Sequence, residues 1–73
     1  MQLDDVITVA EATSDYGISR GSLYWAIRAR LSGACRKSAG TWLISRPALE
    51  RLIIEGDIGA PVKVREKLMR QWE

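Results

Sequence analysis

Two hydrophobic periods divide the chain. Leu23 and Ile27 stand four residues apart and so share one face of a helix, while Gly21, Tyr24, Trp25 and Arg28 fall on the other side of the wheel. This spacing predicts a helix from Arg20 to between Ala29 and Leu31, opened by Ser19 as its cap, with Gly33 as a stop beyond it. Upstream, Thr8-Val9-Ala10-Glu11 has the capping-box pattern and starts a short, alanine-rich helix over Val9 to Asp15 or Tyr16. Between the two helices lie Gly17, which tolerates positive φ, and Ile18, an aliphatic that can plug the space between them. Val6 and Ile7 form an apolar lead-in of extended type.

The period then changes from helical to alternating. Ala34-Cys35-Arg36-Lys37 and Thr41-Trp42-Leu43-Ile44 flank Ser38-Ala39-Gly40 and predict a β-hairpin. Trp42 and Ile44 share one face and Thr41 and Leu43 the other. Trp42 is assigned to the core, with base stacking as the alternative. Leu43 points outward as a candidate subunit contact. Ser45 then caps a third helix that has Pro47 in its first turn. Leu49, Leu52 and Ile53 face the core, and Gly56 ends the helix after Glu55. A linker at 57–61 leads to an amphipathic helix from Val62 to Trp72. Its stripe of Val64, Leu68 and Trp72 either folds back on the chain or joins a second subunit.

Helix, glycine, aliphatic, serine, helix is a helix-turn-helix signature, although a plain helical hairpin shares its outline. With the hairpin and third helix added, the expected fold is mainly α with a two-stranded β-hairpin wing: a winged helix-turn-helix over residues 1–56. Residues 57–73 supply the linker and an extra helix for packing or oligomer contact.

Composition narrows the chemistry. Seventy-three residues with 47% hydrophobic and 27% charged side chains make one small globular domain with little room for a deep catalytic pocket. The sequence contains no histidine, and Cys35 is its one cysteine. A Cys/His zinc site, an internal disulfide and a His-based catalytic set are therefore excluded. No phosphate-loop or dinucleotide motif is present, so no cofactor, metal or small-molecule substrate is expected, nor an enzyme. No apolar run approaches the roughly 18 residues of a membrane span, and residues 1–5 do not resemble a signal peptide. A cytoplasmic, nucleoid-associated location is the expectation.

Net charge is only +2, but it is segregated. Residues 1–19 carry Asp4, Asp5, Glu11 and Asp15 and no base. Residues 20–46 carry Arg20, Arg28, Arg30, Arg36, Lys37 and Arg46 and no acid. An acid-free block of this kind is the pattern of a polyanion-binding surface.

These residues together resemble the excisionase-like DNA-binding proteins and the related DNA-binding domain of MerR-type regulators. The resemblance is carried by Thr8-Val9-Ala10-Glu11-Ala12, by Tyr16-Gly17-Ile18-Ser19-Arg20-Gly21-Ser22-Leu23-Tyr24, by Ile27-Arg28-Ala29 and Arg36, and by the run from Thr41 to Glu50. It covers roughly residues 7–54. The chain departs from the pattern at Arg30, where glycine is common, at Trp25, which stands one position early, and at Leu43, where a base is common.

The resemblance implies that the second helix enters the major groove of DNA and that the hairpin lies along the adjacent minor groove or backbone. Arg20 would then reach a guanine edge or a phosphate, and Ser19, Gly21 and Ser22 would offer phosphate contacts at the helix start. Tyr24 would bond a phosphate through its hydroxyl, Trp25 would meet a thymine methyl or the wing, and Arg28 would reach a base or phosphate. Arg36, Lys37 and Thr41 would belong to the wing, with Arg46 as a backbone clamp. The tentative oligomer contact is Leu43, Val64, Leu68 and Trp72. The expected function is sequence-specific binding of double-stranded DNA, as an excisionase-type recombination directionality factor or a compact regulator of phage or mobile-element type. It would act as a cooperative homo-oligomer on DNA or beside a recombinase or integrase. A protein–protein adaptor using the basic face and last helix, or a DNA-packaging small-subunit domain, are the alternatives.

Overall fold

A computed structural model describes residues 6–72. The element order is β1 (Val6–Thr8), α1 (Val9–Tyr16), α2 (Arg20–Ala29), β2 (Cys35–Ser38), β3 (Thr41–Ser45), α3 (Arg46–Glu55) and α4 (Val62–Trp72). This is a mainly helical, winged helix-turn-helix arrangement.

Local chemistry sets most of the boundaries. Thr8 Oγ1 accepts the Glu11 N–H at 3.1 Å while Glu11 Oε1 accepts the Thr8 N–H at 3.0 Å, a complete capping box. That pair of bonds to Thr8 holds the Glu11 carboxyl below its ordinary range. Gly17 closes α1 with φ of 68°, a left-handed conformation in which a side chain would also come 3.1 Å from Pro61 Cγ. Ser19 caps α2 and Ser45 caps α3, with Pro47 in the first turn of α3, where a missing N–H costs no bond.

The sheet differs from the expected two-stranded wing. β1 pairs antiparallel with the outer side of β3, giving the strand order β1-β3-β2. Val6, Ile7 and Thr8 are all β-branched, and the pairing places Ile7 opposite Ile44, both of them buried. The hairpin turn is also tighter than expected. Ser38 belongs to β2, opposite Thr41, so Ala39 and Gly40 alone make the turn, with φ of 51° and 80°. Positive φ at both positions is the requirement of a type I′ hairpin.

The core lies between α1, α2, the sheet and α3. Ile7, Ile18, Leu23, Ile44, Leu49 and Ile53 are its fully buried large side chains. Trp42 packs against this core as a half-buried residue. Cys35, opposite Ile44, is also half-buried, and desolvation raises its thiol pKa.

The stripe of α4 turns inward. Leu68 is 5% exposed, and Val64 packs against the same cluster. Arg65 Nε donates to the Ile54 carbonyl at 3.1 Å. Trp72 Nε1 donates to Glu50 Oε1 at 3.1 Å, with the Arg51 guanidinium 6.0 Å from a Trp72 ring centroid. Of the stripe expected either to fold back or to join a second subunit, Leu68 is buried and Val64 half-buried on the chain's own core, so Leu68 is not open to a subunit, whereas Trp72 stays 43% exposed. The linker is likewise part of the packing, since Ile58 is a core residue.

Candidate nucleic-acid interface

α2 presents two faces of opposite character. Leu23, Ala26 and Ile27 are buried, whereas Tyr24 is 40% and Trp25 46% exposed, with Gly21 and Arg28 exposed beside them. Leaving two large aromatic rings half in water while Ala26 is buried is the reverse of what packing alone would select. Nothing within 4 Å would meet a Cβ on Gly21, so the face is open at that point.

The start of α2 is organised to receive an acceptor. Ser19 Oγ takes the Ser22 N–H at 3.2 Å and donates to Ser22 Oγ at 2.9 Å, while the Leu23 N–H goes to the Ser19 carbonyl. The N–H groups of Arg20 and Gly21 then remain for an outside acceptor, as the first N–H groups of a helix have no intrahelical partner. The Arg20 side chain stands exposed at the same end.

The wing cations do not act together. Arg36 lies opposite Leu43 and Lys37 opposite Trp42, so alternation sends them to opposite faces of the hairpin. Thr41 is exposed at the turn. Leu43 is half-buried between Thr8 and Arg36, its cross-strand partners, and lines a shallow groove with Val6, Ser45 and Pro47. Its outward side is thus partly covered by its own chain.

Arg46 has a different setting from the one expected for a backbone clamp. Its Nη1 donates to the Tyr16 hydroxyl at 2.9 Å, and its guanidinium carbon lies 5.9 Å from the centroid of that ring. The Tyr16 hydroxyl in turn donates to Glu50 Oε2 at 2.6 Å. Burial and the adjacent Glu50 carboxylate push the Tyr16 pKa up to about 12. Glu50 therefore joins α1, through Tyr16, to α4, through Trp72. No motif in the sequence foreshadows this cluster. The one signal for it was the i, i+4 spacing of Arg46 and Glu50.

A second omission lies beside α2. Asp57, Ile58 and Gly59 of the linker form a groove with Gly21, Ser22 and Trp25. Among the described residues the ion pair is Arg30 with Asp57, at 2.8 Å. No helix among them is long and apolar enough to cross a membrane.

Searches among curated proteins and among solved structures returned no significant match. A family model described as a helix-turn-helix domain matches residues 1–57, which spans α1, α2, the hairpin and α3. With a helix that caps, buries and exposes its residues as α2 does, and with that match over most of its length, this chain belongs to the helix-turn-helix domain family, whose general role is DNA binding.

Proposed function

We propose that the chain is a sequence-specific double-stranded DNA-binding protein without catalytic activity, with α2 as the helix that enters the major groove. The observation that carries this reading is the outward face of α2, where Arg20, Gly21, Tyr24, Trp25 and Arg28 are all exposed. Guanidinium groups on a helix of this kind suit guanine edges and phosphates, and the rings suit thymine methyls and sugars. The acid-free block at 20–46 supplies the electrostatic attraction. Arg36, Lys37 and Thr41 serve as wing contacts, one hairpin face at a time.

Within that class the reading is an excisionase-type directionality factor or a compact regulator of a phage or mobile element, acting in the cytoplasm on the nucleoid. One copy offers few contacts, so useful occupancy calls for several bound copies or a recombinase partner. With Leu68 buried and Val64 half-buried, the surfaces left on α4 for such a contact are Trp72, 43% exposed, and its neighbours Val62 and Met69.

Salt titration of duplex binding tests the reading. About four to six phosphate contacts give a log–log slope near −4 to −5. Absence of duplex binding at low salt would sink it. A footprint then separates the two roles: repeated protected sites beside an attachment sequence for recombination, a single promoter operator for regulation.

A further inference from the structure

The linker between α3 and α4 brings a carboxylate to the edge of the α2 face. Asp57 Oδ2 lies 2.8 Å from Arg30 Nη2, and both side chains stay partly exposed, 34% and 45%. Asp57 shares its groove with Gly21, Ser22 and Trp25, three of the residues assigned to the DNA-facing side. The linker is fixed in that position. Ile58 is buried, the Asp57 N–H donates to the Leu52 carbonyl at 3.1 Å, and Pro61 stands against Gly17. A negative charge is thereby held beside a stretch, residues 20–46, that has no acid of its own. Unpaired, it would repel phosphates over roughly a Debye length, ~10 Å at 0.1 M salt.

We propose that Arg30 is a shield: it cancels Asp57 at the border of the DNA-facing surface instead of contacting the duplex, so that the Arg30–Asp57 pair fixes how much positive charge α2 offers to the phosphate backbone. The proposal rests on the DNA-binding reading above. It also gives a role to one of the three residues at which the chain departs from its excisionase-like resemblance. Arg30 is matched to a carboxylate in a linker that lies outside that resemblance. An exposed pair of this kind adds little to folding, so its consequence lies in the field met by a polyanion.

A four-protein cycle on the full chain tests it: wild type, Arg30→Ala, Asp57→Asn and the double variant, each titrated with a random-sequence DNA duplex between roughly 50 and 200 mM salt. One phosphate-neutralising charge changes the log–log slope by about 0.9 and is worth up to about eightfold in Kd at ~0.1 M salt. Asp57→Asn frees Arg30 and should bind about three- to eightfold tighter, with a slope steeper by that amount. Arg30→Ala bares Asp57 and should weaken binding by a similar factor. The double variant should return to within about twofold of wild type, and Arg30→Lys should behave as wild type. Thermal melts of each protein separate a loss of binding from a loss of fold. A double variant as weak as Arg30→Ala would mean that Arg30 is itself a DNA contact, which overturns the shield. Four identical titrations would overturn it as well, by placing the pair off the surface. A wild type that binds no duplex overturns the DNA reading beneath it, whereas a wild type that binds with a flat cycle overturns the shield alone.

Discussion

Arg28 and Arg46 sit on two helices of equal length, α2 and α3, each ten residues long, and both belong to the same acid-free stretch of sequence. Their surroundings are opposite. Arg46 is half-buried, bonded to the Tyr16 hydroxyl and held over its ring, with Glu50 one turn further along α3. Arg28 is exposed next to Tyr24 and Trp25, and among the described residues it has no ion pair. A cation whose bonds are made inside the chain works on the fold. A cation left in water beside half-exposed aromatic rings is available to an outside anion. Charge along the sequence marks a basic region, but only the partners of each group divide that region into structural and binding parts.

Truncating each of the two arginines should have opposite consequences. Arg28→Ala should cost about 1–3 kcal/mol of duplex affinity, roughly 5- to 150-fold in Kd, and leave the thermal midpoint within the noise of a surface substitution. Arg46→Ala should do the reverse. It removes one hydrogen bond to Tyr16 and lowers stability by about 1 kcal/mol, with the salt slope of DNA binding unchanged. Paired anisotropy titrations and melts of the two variants decide the matter. If Arg46→Ala flattens the salt slope, Arg46 touches phosphate despite its internal bonds, and the division drawn here fails.

A smaller effect sharpens the description of the open face. Gly21 lies in the first turn of α2, its φ is outside the left-handed region, and a Cβ there would meet nothing within 4 Å. Neither backbone nor packing asks for glycine, which costs a helix interior up to ~1 kcal/mol relative to alanine and less near an end. Gly21→Ala should therefore raise the melting temperature or leave it unchanged. Its duplex affinity should nonetheless fall by about tenfold, the weight of ~1.4 kcal/mol, if DNA approaches the backbone closely at that point. Equal affinity for the two proteins would show that the duplex stands off from this turn.

Much of the fold was readable because it is set locally. Thr8 with Glu11, Ser19, Ser45 with Pro47, and Gly56 each mark a helix end through bonds that span three or four residues. The spacing of Leu23 with Ile27, and of Leu49 with Leu52 and Ile53, gave the buried faces. What escaped depends on partners far away in sequence. β1 is three residues long and becomes a strand only because β3 offers it an edge. Ile58 is buried outside any helical period. Arg36 and Lys37 are adjacent in sequence, yet strand alternation sends them to opposite faces of β2, a local rule that the charge pattern by itself does not carry. The bond of Arg46 to Tyr16 reaches thirty residues back, and nothing adjacent to Arg46 announces it.

The smallest effect probes the internal cluster through its proton. The Tyr16 hydroxyl is a donor to Glu50, a bond that only the neutral phenol can make, and its pKa is pushed up from 10 to about 12 by burial first and by Glu50 second. A raised pKa means that the folded state favours the protonated form. This part of the stability is complete below the ordinary tyrosine value near 10 and is lost as pH rises through about 12. Tyr24→Phe leaves Tyr16 as the sole tyrosine, so the near-ultraviolet absorbance of tyrosinate reports it alone. The titration should lie well above the ordinary value, and adding Glu50→Gln should bring it part of the way back down, since an amide neither repels the phenolate nor depends on the phenol proton while the burial remains. A Tyr16 that titrates at its ordinary value with Glu50 in place would mean that the hydroxyl is open to water. The tie between α1 and α3 would then be absent, and Arg46 would be released to the same solvent that Arg28 occupies.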